Sequence, residues 1–326
     1  MRGNRFFTVL ILCVFLCPHH LLAVIEAKDP YDNQQLQQDL MMLKKEFGDI
    51  LQIQTIGRSM FGKPIQAVQI GKGMEYLLFV GAHHGREWIS ANLLMMMIER
   101  YARHYRDGEA ENGYDPKLFD RISLVIIPML NPDGIDIQQG KIPPEYFFEI
   151  WLMNEGSFDF SRWKANAIGI DLNRQYPAGW KALPSPSKPY FKFYKGETPL
   201  IAKEVIHLVE FVKKQPPLAA VSFHSAGQEI YWAFGERQDI ARDLRIGKRL
   251  SRLTGYPLAS PPRNAVGGGF TDWFIDEYSR PGFTIELCTW RGETNPDITE
   301  LPSEFARNRD IGYVLIEEMI QTEKKR

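Results

Sequence analysis

Apolar residues recur at helical spacing at Leu36, Leu40, Leu43 and Phe47, which predicts an amphipathic helix within residues 30–49. The next two segments, ILQIQTIG (50–57) and PIQAVQIG (64–71), alternate apolar and polar residues as paired strands do, with Gly62 in the turn between them. The pattern then changes. YLLFVGA (76–82), ISLVIIPML (122–130), LAAVSFH (218–224) and PGFTIEL (281–287) are continuous apolar runs, as expected of strands covered on both faces. Helical spacing returns over 89–105, 201–215, 236–255 and 302–321, with Gly255 as a stop signal and Met95 to Met97 read as core packing. NPDG (131–134) reads as a turn. Buried strands alternating with helices predict an α/β fold. The expected form is a single domain whose twisted, mixed but mostly parallel sheet carries helices on both faces.

Composition narrows the function. The chain has 326 residues, 44% apolar and 24% charged, with a formal net charge of −1. Such a balance supplies no field for nucleic acid or an anionic membrane, so neither a nucleic-acid partner nor a stable membrane partner is expected, and a monomer is. The N-terminus departs from this ordinary picture. Arg2 and Arg5 precede an apolar run from Phe6 to Cys17, and small residues follow at Ala23 and Ala27. This reads as a secretory leader over 1–27, cut after Ala27, although Ile25 fits an A-x-A site poorly. The run is short for a membrane span. The expected product is secreted or extracytoplasmic, with one folded domain over 28–326. Of the three cysteines, Cys13 and Cys17 leave with the leader, and Cys288 in GFTIELC is read as packing without a disulfide. No repeat, low-complexity linker or charge block divides the remainder.

Polar residues gather where the buried strands end. His83, His84 and Glu87 follow the run ending at Ala82, and Asn131 and Asp133 follow the run ending at Leu130. His224 closes the third run, and Glu286 nearly closes the fourth. In open α/β sheets ligands bind outside the carboxyl ends of the strands. Two histidines and a carboxylate with an open fourth position make a catalytic zinc site, and a further carboxylate can take a proton from an attacking water. His83 and Glu87 are i,i+4, whereas His84 and Glu87 are i,i+3, and spacing alone does not choose between them. His104 and His207 fall in predicted helices and are read as surface residues. GIDLNRQYPAG (169–179) adds Asn173 and Arg174, a donor and a rigid cationic fork suited to a carboxylate, with Asp171 placed to orient them. The segment KIPPEYFFEIWLMNEGSFDFSRW, rich in aromatics and acids, is either a rim over the cleft or an ordinary packed insertion.

These residues together resemble the zinc carboxypeptidases of the carboxypeptidase A type. The chain reads His84-Gly85-Arg86-Glu87, then Asn173-Arg174, then His224-Ser225, then Phe283-Thr284-Ile285-Glu286-Leu287, in the family's order and over nearly all of 30–320. The resemblance implies one Zn2+ per chain, held by His84, Glu87 and His224, with His83 a strand-end neighbour. It implies Glu286 as general base, Arg86 polarising the scissile carbonyl or lining the cleft, and Asn173 and Arg174 holding the free carboxylate of the departing residue.

The departures from the family pattern also inform. Where the family has an oxyanion-stabilising Arg, the nearest match is Lys164, with Arg162 as fallback; a lysine acts there as a point charge. Asn264 aligns with the mobile Tyr of the digestive enzymes, Ala226 follows His224-Ser225, and Thr271 aligns with the base of the specificity pocket. GAHHGREW, NPDGIDIQQG, RWKAN…GIDLNRQYPAGW and FHSAGQEIYW resemble the bacterial γ-D-glutamyl-L-diamino-acid peptidases of cell-wall metabolism. That likeness implies a peptidoglycan-peptide substrate, with a zwitterionic side chain seated near Thr271 and Asp272. A general metallocarboxypeptidase acting on ordinary peptides is the alternative reading. A non-catalytic carboxypeptidase-like binding module is a third, against which all four metal and base positions are filled.

Overall fold

The computed structural model describes residues 23–25, 28–235, 239–294 and 296–323; most of the expected leader lies outside them. The first helix, α1 (Asn33–Phe47), starts where the Asp32 carboxylate accepts the Gln35 N–H, and it buries Leu36, Leu40, Leu43 and Phe47 as the spacing predicts. Strands β1 (Leu51–Arg58) and β2 (Pro64–Ile70) pair antiparallel, and Gly62, at φ +81°, turns the chain between them. There follow β3 (Glu75–Gly81), α2 (Ile89–Asp107), α3 (Leu118–Arg121), β4 (Ile122–Ile127), α4 (Pro132–Gln138) and α5 (Phe147–Met153). The second half runs α6 (Lys203–Lys214), β5 (Ala219–Ser225), β6 (Glu229–Tyr231), α7 (Ile240–Thr254), β7 (Leu258–Ala259), α8 (Phe270–Tyr278), β8 (Gly282–Leu287), α9 (Leu301–Asn308) and α10 (Ile311–Glu323).

Among the described residues the strands form one sheet of eight, in the order β1-β2-β4-β3-β5-β8-β6-β7. Its middle, β4-β3-β5-β8, is parallel, and antiparallel pairings join it to β2 and β6. Alternate side chains of the middle strands enter opposite layers. Leu77, Phe79, Val221, Phe223 and Ile285 pack with α1, α2, α7 and α10, whereas Leu78, Val80 and Ala220 pack with α6 and α8. That double covering is why these four strands read as unbroken apolar runs. It also places the switch point at β3, which has β4 on one side and β5 on the other.

The structure corrects two local expectations and decides a third. NPDG is not a free turn: Asn131 caps α4 by accepting the Gly134 N–H, and Pro132 occupies the first helical position, where its missing donor costs nothing. The helix expected over 302–321 is two, α9 and α10, which meet at Arg309 and Asp310. The aromatic segment after Gln138 is a packed insertion. Ile150, Phe160, Trp163 and Phe191 form a small core of their own, while Phe148 and Phe158 stay exposed.

Candidate metal centre and its cleft

The carboxyl ends of β3, β5 and β8 open into one cleft lined by His84, Arg86, Glu87, Lys164, Arg174, His224, Thr271 and Glu286, among others. Close backbone approach makes this possible. After β3 the chain bends through Gly85, where a Cβ would lie 2.2 Å from the Gly134 carbonyl oxygen; a Cβ on Gly134 would lie 2.4 Å from the Ala165 carbonyl oxygen. Only glycine lets the His84–Glu87 segment nest against the start of α4. Asn131 ties this layer together, its amide donating to the carbonyls of His83 and Ala165.

Three buried side chains converge at the bottom. His84 Nδ1 lies 2.8 Å from Glu87 Oε1, His224 Nδ1 lies 2.8 Å from Glu87 Oε2, and the two Nδ1 atoms are 3.2 Å apart. The outer ring nitrogens are already engaged, His84 Nε2 with Asp171 Oδ1 at 3.0 Å and His224 Nε2 with Ser222 Oγ at 3.0 Å. If the outer nitrogens carry the protons, both Nδ1 lone pairs point at each other and at a carboxylate. That arrangement is repulsive for an empty pair and is what a divalent cation requires, since ligating histidines characteristically donate their other N–H to a carboxylate or another acceptor. The donor set therefore fits a metal, and it is the His84, Glu87 and His224 group that could hold one.

His83 is placed otherwise. Its Nε2 is 3.1 Å from the Tyr176 hydroxyl and its Nδ1 3.3 Å from Ser222 Oγ, so both nitrogens are taken. Burial, and then the neighbouring His224, hold its pKa well below the ordinary value. The geometry thus resolves the spacing ambiguity for the i,i+3 pair.

Glu286 stands beside His224 in register on the adjacent parallel strand and faces the cleft. Burial, and then the charge of Glu87, raise its pKa well above the ordinary range, while Lys164 and Arg86 pull it back. Lys164 Nζ lies 4.0 Å from Glu87 Oε1 and 5.2 Å from the Phe193 ring centroid. Arg162, the fallback, points elsewhere: it pairs with Glu155 and stacks at 4.0 Å on Phe191. Arg86 lies on the cleft wall, near the carbonyl of Glu293.

Asn173 accepts the Phe270 N–H, and Arg174 lies 4.8 Å over the same Phe193 ring with Nε 3.6 Å from Asp171 Oδ2. Thr271 shares a 2.7 Å hydrogen bond with Thr284, and Asp272 accepts the Gly267 N–H beside them. Asn264 sits in the short helical turn Arg263–Ala265, whose Ala265 lines the cleft; its side chain lies outside the described residues. Asn131 and Asp133 do not line the cleft, contrary to the strand-end pattern. Asp133 turns to the far side, where it accepts the Phe61 N–H and lies near Lys63.

Two participants escaped the sequence reading. Asp171 was read as a partner of Asn173 and Arg174 only, yet one of its oxygens is the acceptor for His84. Ser222 precedes His224 by two, so strand alternation puts both on one face; that signal was available.

The model of the zinc carboxypeptidase family matches residues 36–325. This chain is a member of the zinc carboxypeptidase family. It is 31% identical over 279 residues to gamma-D-glutamyl-L-diamino acid endopeptidase 1 of Lysinibacillus sphaericus, covering 84% of this chain and 68% of that relative. Mast cell carboxypeptidase A of Rattus norvegicus is 26% identical over 250 residues, covering 71% of this chain and 57% of that relative. Among solved structures, thrombin activatable fibrinolysis inhibitor superposes with a TM-score of 0.76 at 17% identity, over 92% of this chain and 77% of that one. This zinc carboxypeptidase thus shares the family's fold, and its His84, Glu87 and His224 converge at the strand ends of that fold.

Proposed function

We propose that this zinc carboxypeptidase is an exported enzyme that hydrolyses the amide between γ-D-glutamate and a diamino acid in peptidoglycan peptides. His84, Glu87 and His224 would hold the ion, one Zn2+ per chain. When bound, it would supply Lewis acidity at the scissile carbonyl and make a water acidic enough to attack near neutral pH. Glu286 takes the proton of the attacking water and passes it to the departing amine. Lys164 and Arg86 face the developing oxyanion as point and forked cations. Arg174 and Asn173 receive the free carboxylate of the departing residue.

The observation that carries the substrate choice is the pocket floor. The Thr271–Thr284 hydroxyl pair and the Asp272 carboxyl line the cleft and offer polar partners, which suits a side chain bearing its own ammonium and carboxylate. The 31% identity to a γ-D-glutamyl-L-diamino acid endopeptidase supports the same reading. A general metallocarboxypeptidase is the second reading, favoured by the likeness to mast cell carboxypeptidase A. Turnover of a γ-D-glutamyl-diaminopimelate peptide against a hippuryl-type substrate separates them. Release of diaminopimelate with hippuryl peptides left intact is expected; the reverse result overturns the cell-wall reading.

A further inference from the structure

Far from the cleft, Glu99 of α2 presents a buried carboxylate to a piece of chain that the leader pattern assigns to the leader. Its Oε1 accepts the Val24 N–H at 2.9 Å and its Oε2 accepts the Ile25 N–H at 2.8 Å. Ile25 is 6% exposed and belongs to the main core, and Val24 packs against that core. A cut after Ala27 would remove both residues. It would strip two donors from a carboxylate that is itself 6% exposed, leaving Arg103 as its ionic neighbour, and would open the site that Ile25 fills. Losing such partners from a buried charge is costly.

We infer that the leader is cut between Ala23 and Val24, and that the α-ammonium released there docks on Glu99. The inference rests on the reading of the N-terminus as an export leader. The residue before either cut is a small alanine, Ala23 or Ala27, and the residue two earlier is bulky in both cases, Leu21 or Ile25. The leader pattern therefore does not choose, and the contacts do. Hydrolysis by a leader peptidase adds one water across the Ala23–Val24 peptide bond. Ala23 leaves with the carboxylate, and the Val24 amine takes up a proton. An amide N–H at Glu99 Oε1 becomes an ammonium N–H on a carboxylate, a charge-assisted bond roughly twice as strong as a neutral one.

The test is to express the full chain in an export-competent bacterial host and read the N-terminus of the exported protein by sequencing and intact mass. VIEAK is the expected start. KDPYD overturns the inference while leaving export intact, and a retained leader overturns both. A second measurement isolates the ion pair. Glu99→Gln should lower the melting temperature by several degrees more in the chain beginning at a free Val24 than in the same chain with that amine acetylated. Equal losses in the two chains contradict the ammonium contact.

Discussion

Each metal-facing histidine is aimed by what its other nitrogen touches. Asp171 holds His84 and Ser222 holds His224, so the lone pairs turned inward are set by partners outside the metal triad. Asp171 is fully buried, and among the groups that lower its pKa far below the carboxylate range His84 comes first, followed by Lys164. Asp171→Asn keeps the shape but weakens the acceptor, and it is expected to reduce zinc affinity about 10–100-fold in competition with a chelator. Unchanged affinity would show that Asp171 serves only the Asn173 and Arg174 loop. Glu286→Gln should retain zinc and lose turnover by about 10²–10⁴-fold, the span attributed to general acid–base catalysis. Substantial residual activity would remove Glu286 as the base.

At the scale of elements, the site exists because parallel strands end together and glycine lets two turns touch. Gly85 and Gly134 are the points of contact between the His84–Glu87 segment and α4. Gly85→Ala should displace that segment, and overpacking of this kind costs about 1–3 kcal/mol. The melting temperature and the zinc affinity are expected to fall together; a normal zinc affinity would mean that the segment yields without moving its ligands. The four buried strands were legible from their unbroken apolar runs, and Glu87, His224, Glu286 and the His83/His84 pair from their places at those strands' ends; the choice of His84 over His83 came from the family resemblance. What stayed hidden depends on contacts distant in sequence. Asp171 sits three residues before Arg174 but reaches back 87 positions to His84, which no local spacing reveals. Asn131-Pro132 looked like a turn because the same residues that start turns also cap helices. The break between α9 and α10 carries neither Gly nor Pro, so the apolar period ran straight through it.

Over the whole molecule, burial of carboxyl groups links stability to pH. Glu204 of α6 is buried, accepts the Met60 N–H and the Asn166 amide, and faces Asp133; burial raises its pKa to about 7. The folded state therefore holds a proton that the unfolded state releases from about pH 4.5 upward. Stability from this group is complete below that pH and is lost as pH rises through about 7, by on the order of 3 kcal/mol. Asp272, raised by burial to about 7 as well, acts in the same window. Melting temperature should fall between pH 5 and pH 8, and Glu204→Gln should flatten part of that slope; an unchanged slope would clear Glu204 of responsibility. The same sheet also gathers His84 and Glu87, His224 and Glu286 from three distant segments into one cleft, and that gathering is the centre of the functional account. Zinc stoichiometry in purified variants tests it most directly. One ion per chain is predicted for the wild type and for His83→Ala, which should lose stability instead, and none for His84→Ala. Zinc retained by His84→Ala and lost by His83→Ala would contradict the account.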